Sequence, residues 1–189
     1  TLLIDGKAIA REKGELQWTG YGISGIAVFQ LSSQAVRALQ KKKKVEVEID
    51  LLPDFTEKEL TERVRGREGT YEEILGGFYH AKVLKALLKE AKAAAGEKAV
   101  PEKICSLIKM SRHLRLHLTG SRSFEQAQVT AGGIPLQEVK ETTLESRKTK
   151  GLYLAGELLD VDGPCGGYNL QWAWASGYAA GSSAGKGDL

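Results

Sequence analysis

The sequence predicts an α+β protein in which a block of helices interrupts a set of β-strands. Residues 1–53 hold short apolar runs between turn signals, which is typical of strands. Residues 54–112 hold capping sequences and apolar residues at helical spacing. Residues 113–134 return to strand-like alternation, and residues 135–189 end in one more strand and an apolar helix. This order indicates a helical subdomain inserted into a β domain.

The first segment, residues 1–53, is expected to form the first part of the β domain. Leu2–Ile4 precedes the turn signal Asp5-Gly6, after which the apolar pattern resumes. Within 45–49, valine and isoleucine alternate with acidic residues, as in a strand with one face in water.

The chain between these strands is harder to assign. Residues 26–31 look at least as much like a strand as like a helix. Ser32 or Ser33 is the expected cap of a helix that runs to the four lysines 41–44. Those lysines are expected to be a solvated last turn, which the helix dipole favours.

Residues 54–112 are expected to form the inserted helical subdomain. Thr56–Glu59 and Thr70–Glu73 both match the capping-box pattern. Apolar residues within 83–91 recur at helical spacing, and Pro101 begins another helix. After residue 112 the alternating pattern predicts return strands at 114–118 and 126–130.

Composition excludes several classes of function. Apolar residues make up 42% and charged residues 27% of 189 residues, as in an ordinary globular protein. The net charge of +3 gives no strong case for a nucleic-acid partner, and no apolar run approaches the roughly 20 residues of a membrane span. Cys105 and Cys165 form no CxxC motif, which favours a reducing, cytoplasmic location. His113 and His117 would lie about 13 Å apart on a strand, so no metal site is expected.

The segment Gly151–Gly181 is the most informative part of the chain. It is expected to contain a buried strand at 152–155, the pair Gly156-Glu157, a turn-rich loop at 160–167 and a helix from Tyr168 to Ala180. A carboxylate at a strand end can bind a sugar hydroxyl, and adjacent glycines allow close approach of a ligand. A helix N-terminus offers N–H groups and a positive dipole to a negative group. The layout therefore suits a large anionic cofactor.

Gly20–Gly25 matches the spacing G-x-G-x-x-G. A dinucleotide fingerprint must follow a buried strand and open a helix. Here the preceding strand is polar and short, so a structural turn is favoured over a dinucleotide site.

Long words near the C-terminus carry a resemblance to a known family. AGELLDVDG and GGYNLQWAWASGYAAG, with Val129–Ile134 and Thr142–Glu157 upstream, resemble the C-terminal part of FAD-dependent oxidoreductases of the aminoacetone-oxidase type. The resemblance spans nearly the whole chain. It implies a barrel-like β domain with a helical insert, followed by the last strand and helix of an FAD-binding α/β domain. It also implies that the N-terminal dinucleotide-binding unit of relatives lies outside this sequence, so the isolated chain is expected to be an inactive fragment without FAD.

The resemblance also implies which residues contact the cofactor. Glu157, beside Gly156, is expected at a ribityl hydroxyl of FAD, and the loop and helix start are expected at the flavin pyrimidine ring. The Gly20–Gly25 word is expected near the flavin face. The implied cofactor contacts are Gly156, Glu157, Gly166, Gly167, Tyr168, Asn169, Leu170, Ala131 and Gly132. No catalytic residue is implied.

Simpler interpretations stay open beside these. Glu157 could be a solvated acid, and the Ala131-Gly132 turn could be structural only. The family implies a small-molecule substrate, with NAD(P)H as a further possible partner, and covers amine oxidation and reduction of conjugated steroid ketones. The alternatives are a non-catalytic binding module that does not hold FAD, and a nucleic-acid module that would show salt-dependent binding.

Overall fold

The computed structural model describes residues 1–186 and shows a mixed helix-and-sheet protein. The strands are short, and one helix near the C-terminus is much longer than those of the central block. The strands are β1 Leu2–Ile4, β2 Lys7–Ala10, β3 Gln17–Thr19, β4 Gly22–Ser24, β5 Val45–Ile49 and β6 Leu114–His117. The helices are α1 Ile26–Gln40, α2 Glu57–Val64, α3 Tyr71–Leu75, α4 Ala81–Glu90, α5 Pro101–Arg112 and α6 Tyr168–Ala184.

The chain divides into two compact units. Unit 1 contains residues 1–10 and 44–118, and unit 2 contains residues 11–43 and 119–189. Each unit is therefore built from two stretches of chain that are distant in sequence. The four-segment division expected from the sequence stays a prediction.

Unit 1 contains an open antiparallel sheet with strand order β2-β1-β5-β6. The register places Ile49 opposite Leu114, so the chain leaves β5 and returns to β6 at neighbouring positions. Strands β2 and β6 are the edges of this sheet, and the other described strands form a separate hairpin. Among residues 1–186 there is thus no closed barrel, because the strands of the sheet do not join at its two edges.

Helices α2–α5 lie between β5 and β6 in the chain and share an apolar core. Both capping boxes are confirmed: the Thr56 hydroxyl accepts from the Glu59 N–H, and the Glu59 carboxylate accepts from the Thr56 N–H at 2.7 Å. Thr70 and Glu73 repeat this arrangement. The buried core of the block consists of Leu52, Leu60, Val64, Tyr71, Ile74, Leu75, Tyr79, Leu84, Leu87, Leu88, Ile104, Leu107 and Ile108.

These capping boxes make a pH dependence of unit 1 predictable. Backbone N–H donation from Thr56 and Thr70 lowers the pKa of Glu59 and Glu73 from their ordinary value of 4.5. A lowered pKa in the folded state adds stability above the unfolded pKa, and this stability disappears as the pH falls through the folded value. We therefore expect the melting temperature to fall as the pH is lowered below 4.5. The fall should be smaller in the double variant Glu59→Gln, Glu73→Gln. Glu68→Gln, at an exposed position of the same block, should leave the pH profile unchanged.

Unit 2 begins with the β3–β4 hairpin, which leads directly into α1. Helix α1 starts at Ile26 with Gly25 as its N-cap, and the Phe29 N–H donates to the Gly25 carbonyl. The predicted strand character of 26–31 and the predicted cap at Ser32 or Ser33 are wrong. Ser32 lies inside the helix, where its hydroxyl donates to the Phe29 carbonyl at 2.8 Å.

The C-terminal part of unit 2 differs from the prediction in its strands. Residues 152–155 form no strand, and only Tyr153 makes an isolated bridge, to Glu145. The segment's backbone bonds to Leu144 and Ser146 form this bridge, and the pairing does not extend into a ladder. The predicted strand at 126–130 is also absent, because Phe124–Gln126 is a short 3-10 turn.

The predicted apolar helix is confirmed as α6, which extends to Ala184. It packs on an apolar core formed by Val139, Leu144, Leu154, Leu159 and Ala180. None of the helices within residues 1–186 combines the length and the apolar content that a membrane span requires.

Candidate functional site

Unit 2 brings together three of the segments that the sequence singled out. They are the turn at 130–134, the pair Gly156-Glu157 and the loop and helix start at 163–170. A hydrogen bond joins the first two through Thr130 and Glu157, and Gly156 is bonded to the middle of α6, the helix that the third segment begins.

Gly156 is held against the middle of α6 by both of its backbone groups. Its N–H donates to the Ser176 hydroxyl at 2.9 Å, and its carbonyl accepts from the Trp172 indole N–H at 3.1 Å. Ser176 is buried, and its hydroxyl donates in turn to the Trp172 carbonyl. Gly156 has a φ of +68°, a left-handed conformation that favours glycine. Sequence reasoning missed Trp172 and Ser176, although their i, i+4 spacing on an uncharged helix was a usable signal.

Glu157 ties the turn that contains Ala131 and Gly132 to the Gly156 corner. Its carboxylate accepts a hydrogen bond from the Thr130 backbone N–H at 2.5 Å, while the residue as a whole is exposed. Two further backbone bonds join Ile134 to Leu158 and Asp160. The carboxylate therefore positions the turn, and an exposed acid can still accept from a ligand hydroxyl.

Gly133 is the point of closest approach between these two segments. A Cβ at Gly133 would lie 2.7 Å from the Leu158 carbonyl oxygen and 3.0 Å from the Asp160 nitrogen. Its φ of +140° also lies outside the range that side chains favour. Only glycine fits here without moving the backbone beside Glu157.

The loop before α6 is shaped by the side chain of Asn169. Its amide oxygen accepts from the Gly163 N–H at 2.9 Å, and its amide nitrogen donates to the Gly163 carbonyl at 3.0 Å. Farther along the loop, the Cys165 N–H donates to the Gln30 side-chain oxygen of α1 at 3.1 Å. Asn169 thus holds the loop through its side chain, which leaves its backbone N–H for the helix start.

The N-terminus of α6 has the features of an anion site. Gly167 is the N-cap in a left-handed conformation with φ +93°, and no side chain caps the helix. The first N–H groups of any helix lack intrahelical partners, and the dipole is positive there. Tyr168 and Leu170 lie exposed beside these N–H groups.

The Gly20–Gly25 word does lead into a helix, α1, but it contains the hairpin strand β4 and follows β3, which has no buried residue. It therefore lacks the buried strand that a dinucleotide fingerprint needs. The bond from Cys165 to Gln30 brings the first turns of α1 to the glycine loop. The expected position of this word near the flavin face stays a prediction.

Unit 1 holds the two histidines that the sequence raised as metal ligands. His113 lies 3.5 Å from Glu48, and His117 lies 3.3 Å from Glu46, so each pairs with a different carboxylate. The pKa of Glu48 is lowered mainly by a hydrogen bond from Arg115, and that of Glu46 mainly by one from Lys44. Within residues 1–186, no group of three or more His, Cys, Asp and Glu side chains could hold a metal ion.

Known proteins resemble this chain over most of its length. A 3-dehydro-bile acid delta(4,6)-reductase from Clostridium scindens is 40% identical over 96% of this chain and 46% of its own. A ribosomal RNA dihydrouridine synthase from Haemophilus influenzae is 32% identical over 87% of this chain and 41% of its own. The Escherichia coli protein of that name is 43% identical over 39% of this chain and 18% of its own. The chain spans less than half the length of these curated relatives.

A family profile described as the HI0933-like protein Rossmann domain matches residues 22–183. The matched residues include the last four of the Gly20–Gly25 word, the turn at 130–134, the loop at 163–167 and all but the last residue of α6. On this match the chain belongs to the HI0933-like protein family, which is described by its Rossmann domain.

Proposed function

We propose that this chain forms part of an FAD-dependent oxidoreductase and supplies contacts to the ribityl chain and pyrimidine ring of the flavin. The observation that carries the proposal is the uncapped N-terminus of α6 at Gly167, on the helix whose middle is bonded to the Gly156-Glu157 corner. The HI0933-like family and the reductase relative support the same class of function.

The loop before α6 has space for such a cofactor. A Cβ at Gly166 would meet no atom nearer than 4.0 Å, and a Cβ at Gly167 would meet none within 4 Å. Both glycines have positive φ, so they are needed for backbone conformation and leave one side of the loop open. The residues present therefore fit a large anionic ligand.

The chain's own groups have distinct tasks in this proposal. Bound FAD supplies hydride transfer. The N–H groups of the first turn of α6 donate toward the pyrimidine end, where they stabilise negative charge and favour the reduced cofactor. The Glu157 carboxylate accepts from a ribityl hydroxyl, and Trp172 and Ser176 hold Gly156 in place.

The substrate class is a narrower proposal. The resemblance to the aminoacetone-oxidase type and the Clostridium scindens relative favour a small molecule with a carbon–nitrogen bond or a conjugated ketone, with NAD(P)H as a possible electron donor. Both cysteines of the chain are free thiols, which supports a cytoplasmic location. The helical block between β5 and β6 is proposed as an insert that covers the substrate.

A second candidate function comes from the two relatives named ribosomal RNA dihydrouridine synthases. If the substrate is a base in RNA, the protein should bind ribosomal RNA with an affinity that falls steeply with salt. A small-molecule enzyme should show no such dependence. A non-catalytic module would show neither flavin binding nor turnover.

The isolated chain of 189 residues is expected to bind FAD weakly or not at all. In this proposal the chain contacts only the flavin end of FAD. The remaining contacts would come from the parts of the relatives that lie outside their match to this chain. The test is purification of the chain followed by a visible spectrum after addition of FAD. Stoichiometric yellow flavin in the purified chain would contradict this expectation.

Replacement of Glu157 is expected to weaken FAD binding more than it weakens the fold. A hydrogen bond to a charged group contributes roughly 1.5–3 kcal/mol, which is about one to two decades of affinity. The measurement is a flavin fluorescence titration of Glu157→Ala in a protein extended to the length of the relatives. Glu157→Gln keeps an acceptor for the Thr130 N–H and should lose less affinity. Equal affinity of the alanine variant and the parent would show that Glu157 makes no contact with FAD.

A further inference from the structure

The chain passes between the sheet of unit 1 and the helical block through two neighbouring connectors. The first, 50–53, follows β5, and the second, 111–113, joins the end of α5 to β6. The Leu51 N–H donates to the Ser111 carbonyl at 3.0 Å, so the connectors stay bonded to each other beyond the last paired residues of the two strands. Neither connector contains glycine, the residue with the greatest backbone freedom. Sheet and block are therefore linked by two bonded segments without a glycine hinge.

The side chains of Asp50 and Arg112 tie the same two connectors together. The Arg112 and Asp50 side chains are 18% and 19% exposed. The guanidinium donates from Nε at 3.3 Å and from Nη2 at 3.0 Å to one oxygen of the Asp50 carboxylate. The other oxygen accepts from the Leu52 N–H at 3.0 Å. Separation of the connectors would leave two largely buried charges without their partners, which is strongly unfavourable.

Tyr79 bonds the second connector to another part of the block. Its hydroxyl lies 2.7 Å from the Ser111 hydroxyl, and both residues are buried. The Ser111 hydroxyl donates its single proton to the Ile108 carbonyl at 2.7 Å, so the Tyr79 hydroxyl is the donor in the bond between them. Burial raises the pKa of Tyr79, which keeps this donor protonated at neutral pH. Ser111 is thus bonded to Tyr79 through its side chain and to Leu51 through its carbonyl.

The first connector also enters the apolar core of the block. Leu52 belongs to that buried core, and Leu51 packs against it. Only Asp50 and Leu51 lie between the end of β5 and the buried Leu52, and each of them is bonded to the second connector. The first connector therefore offers no unbonded residue about which the block could turn.

We propose that these contacts form a rigid joint, which holds the helical block in one orientation relative to the sheet of unit 1. The Ser111 joint is defined as Asp50, Leu51, Tyr79, Ser111 and Arg112. The fixed orientation does not depend on the proposed function. Its consequence does: if the block covers the substrate, it acts as a fixed wall of that site and not as a lid that opens in each turnover.

Hydrogen exchange, measured by NMR on the 189-residue chain, tests the joint directly. The Leu51 amide donates across the joint, so in the parent it should be protected as strongly as the amides of β5. Arg112→Gln should raise its exchange rate roughly 10–100-fold, as for the loss of a hydrogen bond to a charged group, and leave protection in α4 unchanged. Arg115→Gln removes an exposed 2.8 Å bond to Glu48 on the sheet. This matched control should leave the Leu51 amide protected.

Distances between spin labels test the orientation of the block. Pulsed electron paramagnetic resonance would use one label on Cys105, an exposed thiol of α5, and one on Lys7→Cys of β2, with Cys165→Ser in the background. The reference is the distribution between Cys105 and Lys82→Cys, both inside the block. In the parent, the sheet-to-block distribution should be no wider than this reference.

The double variant Tyr79→Phe, Arg112→Gln should make the sheet-to-block distribution wider than the reference. Tyr71→Phe is its matched control, because it removes another buried hydroxyl of the block, one that accepts from the Val100 N–H away from the joint. That control should leave both the distribution and the exchange of the Leu51 amide as in the parent.

Three outcomes would overturn the inference. They are a Leu51 amide that exchanges as fast as an exposed amide in the parent, a parent distribution wider than the reference, and a folded double variant that changes neither quantity. The two parent measurements decide the question even where a variant fails to fold. No measurement involves FAD, so failure of the proposed function would leave the joint itself supported.

Discussion

Gly133→Ala should lower the free energy of unfolding of unit 2 by about 2–6 kcal/mol, since overpacking and backbone strain each cost about 1–3 kcal/mol. The added Cβ would lie 2.7 Å from the Leu158 carbonyl oxygen. This oxygen is a backbone atom, so no side-chain rotation can relieve the clash. The backbone on one side must move, and the bonds from Ile134 to Leu158 and Asp160 must lengthen or break. Urea unfolding of the isolated chain, followed by tryptophan fluorescence, measures the change.

Gly132→Ala is the matched control for this substitution. Its φ of +101° gives the same kind of backbone strain, but its Cβ would meet nothing within 4 Å. The loss should therefore be smaller, about 1–3 kcal/mol. If the two variants unfold at the same urea concentration, the close approach at Gly133 does not contribute to the loss of unfolding free energy.

Removal of the helical block is expected to leave flavin binding intact and to change turnover by about 100-fold, as when substrate positioning is lost. The deletion joins Leu52 to His113 through a short glycine linker in a protein extended to the length of its relatives. The register of unit 1 favours this joint, because Ile49 and Leu114 are already paired partners on β5 and β6. The block has its own buried core and both of its capping boxes, so most of its contacts leave with it.

The deletion also removes two contacts of the sheet with the block. The Leu51 N–H loses the Ser111 carbonyl, and Asp50 loses its 3.0 Å ion pair with Arg112. Leu52, buried in the block's core, becomes exposed, so the variant should carry Leu52→Ser. The undeleted protein with Leu52→Ser alone is the control. A folded deletion variant without flavin absorbance would show that the block helps to build the cofactor site.

The parts of the fold that the sequence predicted are those encoded locally. The capping boxes at Thr56 and Thr70 require side chains only three residues apart, and an uncharged apolar run predicts α6. The start of α1 was missed because Gly25 caps it through backbone conformation, with no side-chain bond to signal it. The strand expected at 152–155 is absent because a strand depends on its partners, and here the pairing is limited to an isolated bridge between Tyr153 and Glu145.

In the candidate site, too, local features were predicted and contacts between distant residues were not. The resemblance named Gly156, Glu157, Gly166 and Gly167. Hydrogen bonds fix the first pair to Thr130 and α6, and the loop of the second pair to α1. The residues that do this were not predicted, because the bonds of Trp172 and Ser176 to Gly156 join positions 16 and 20 residues apart. Such contacts depend on how α6 lies against the loop, which the local pattern does not specify. Whether the named residues contact FAD stays a prediction.

All three tryptophans of the chain lie in unit 2, at positions 18, 172 and 174. Unit 1 contains none, so indole emission is an optical label for one half of the molecule. Thermal melts followed at the same time by this emission and by far-UV ellipticity, to which the helices of both units contribute, can separate the two transitions. Coincident curves would mean that the halves unfold as a single cooperative body, whereas separated curves would give each half its own melting temperature.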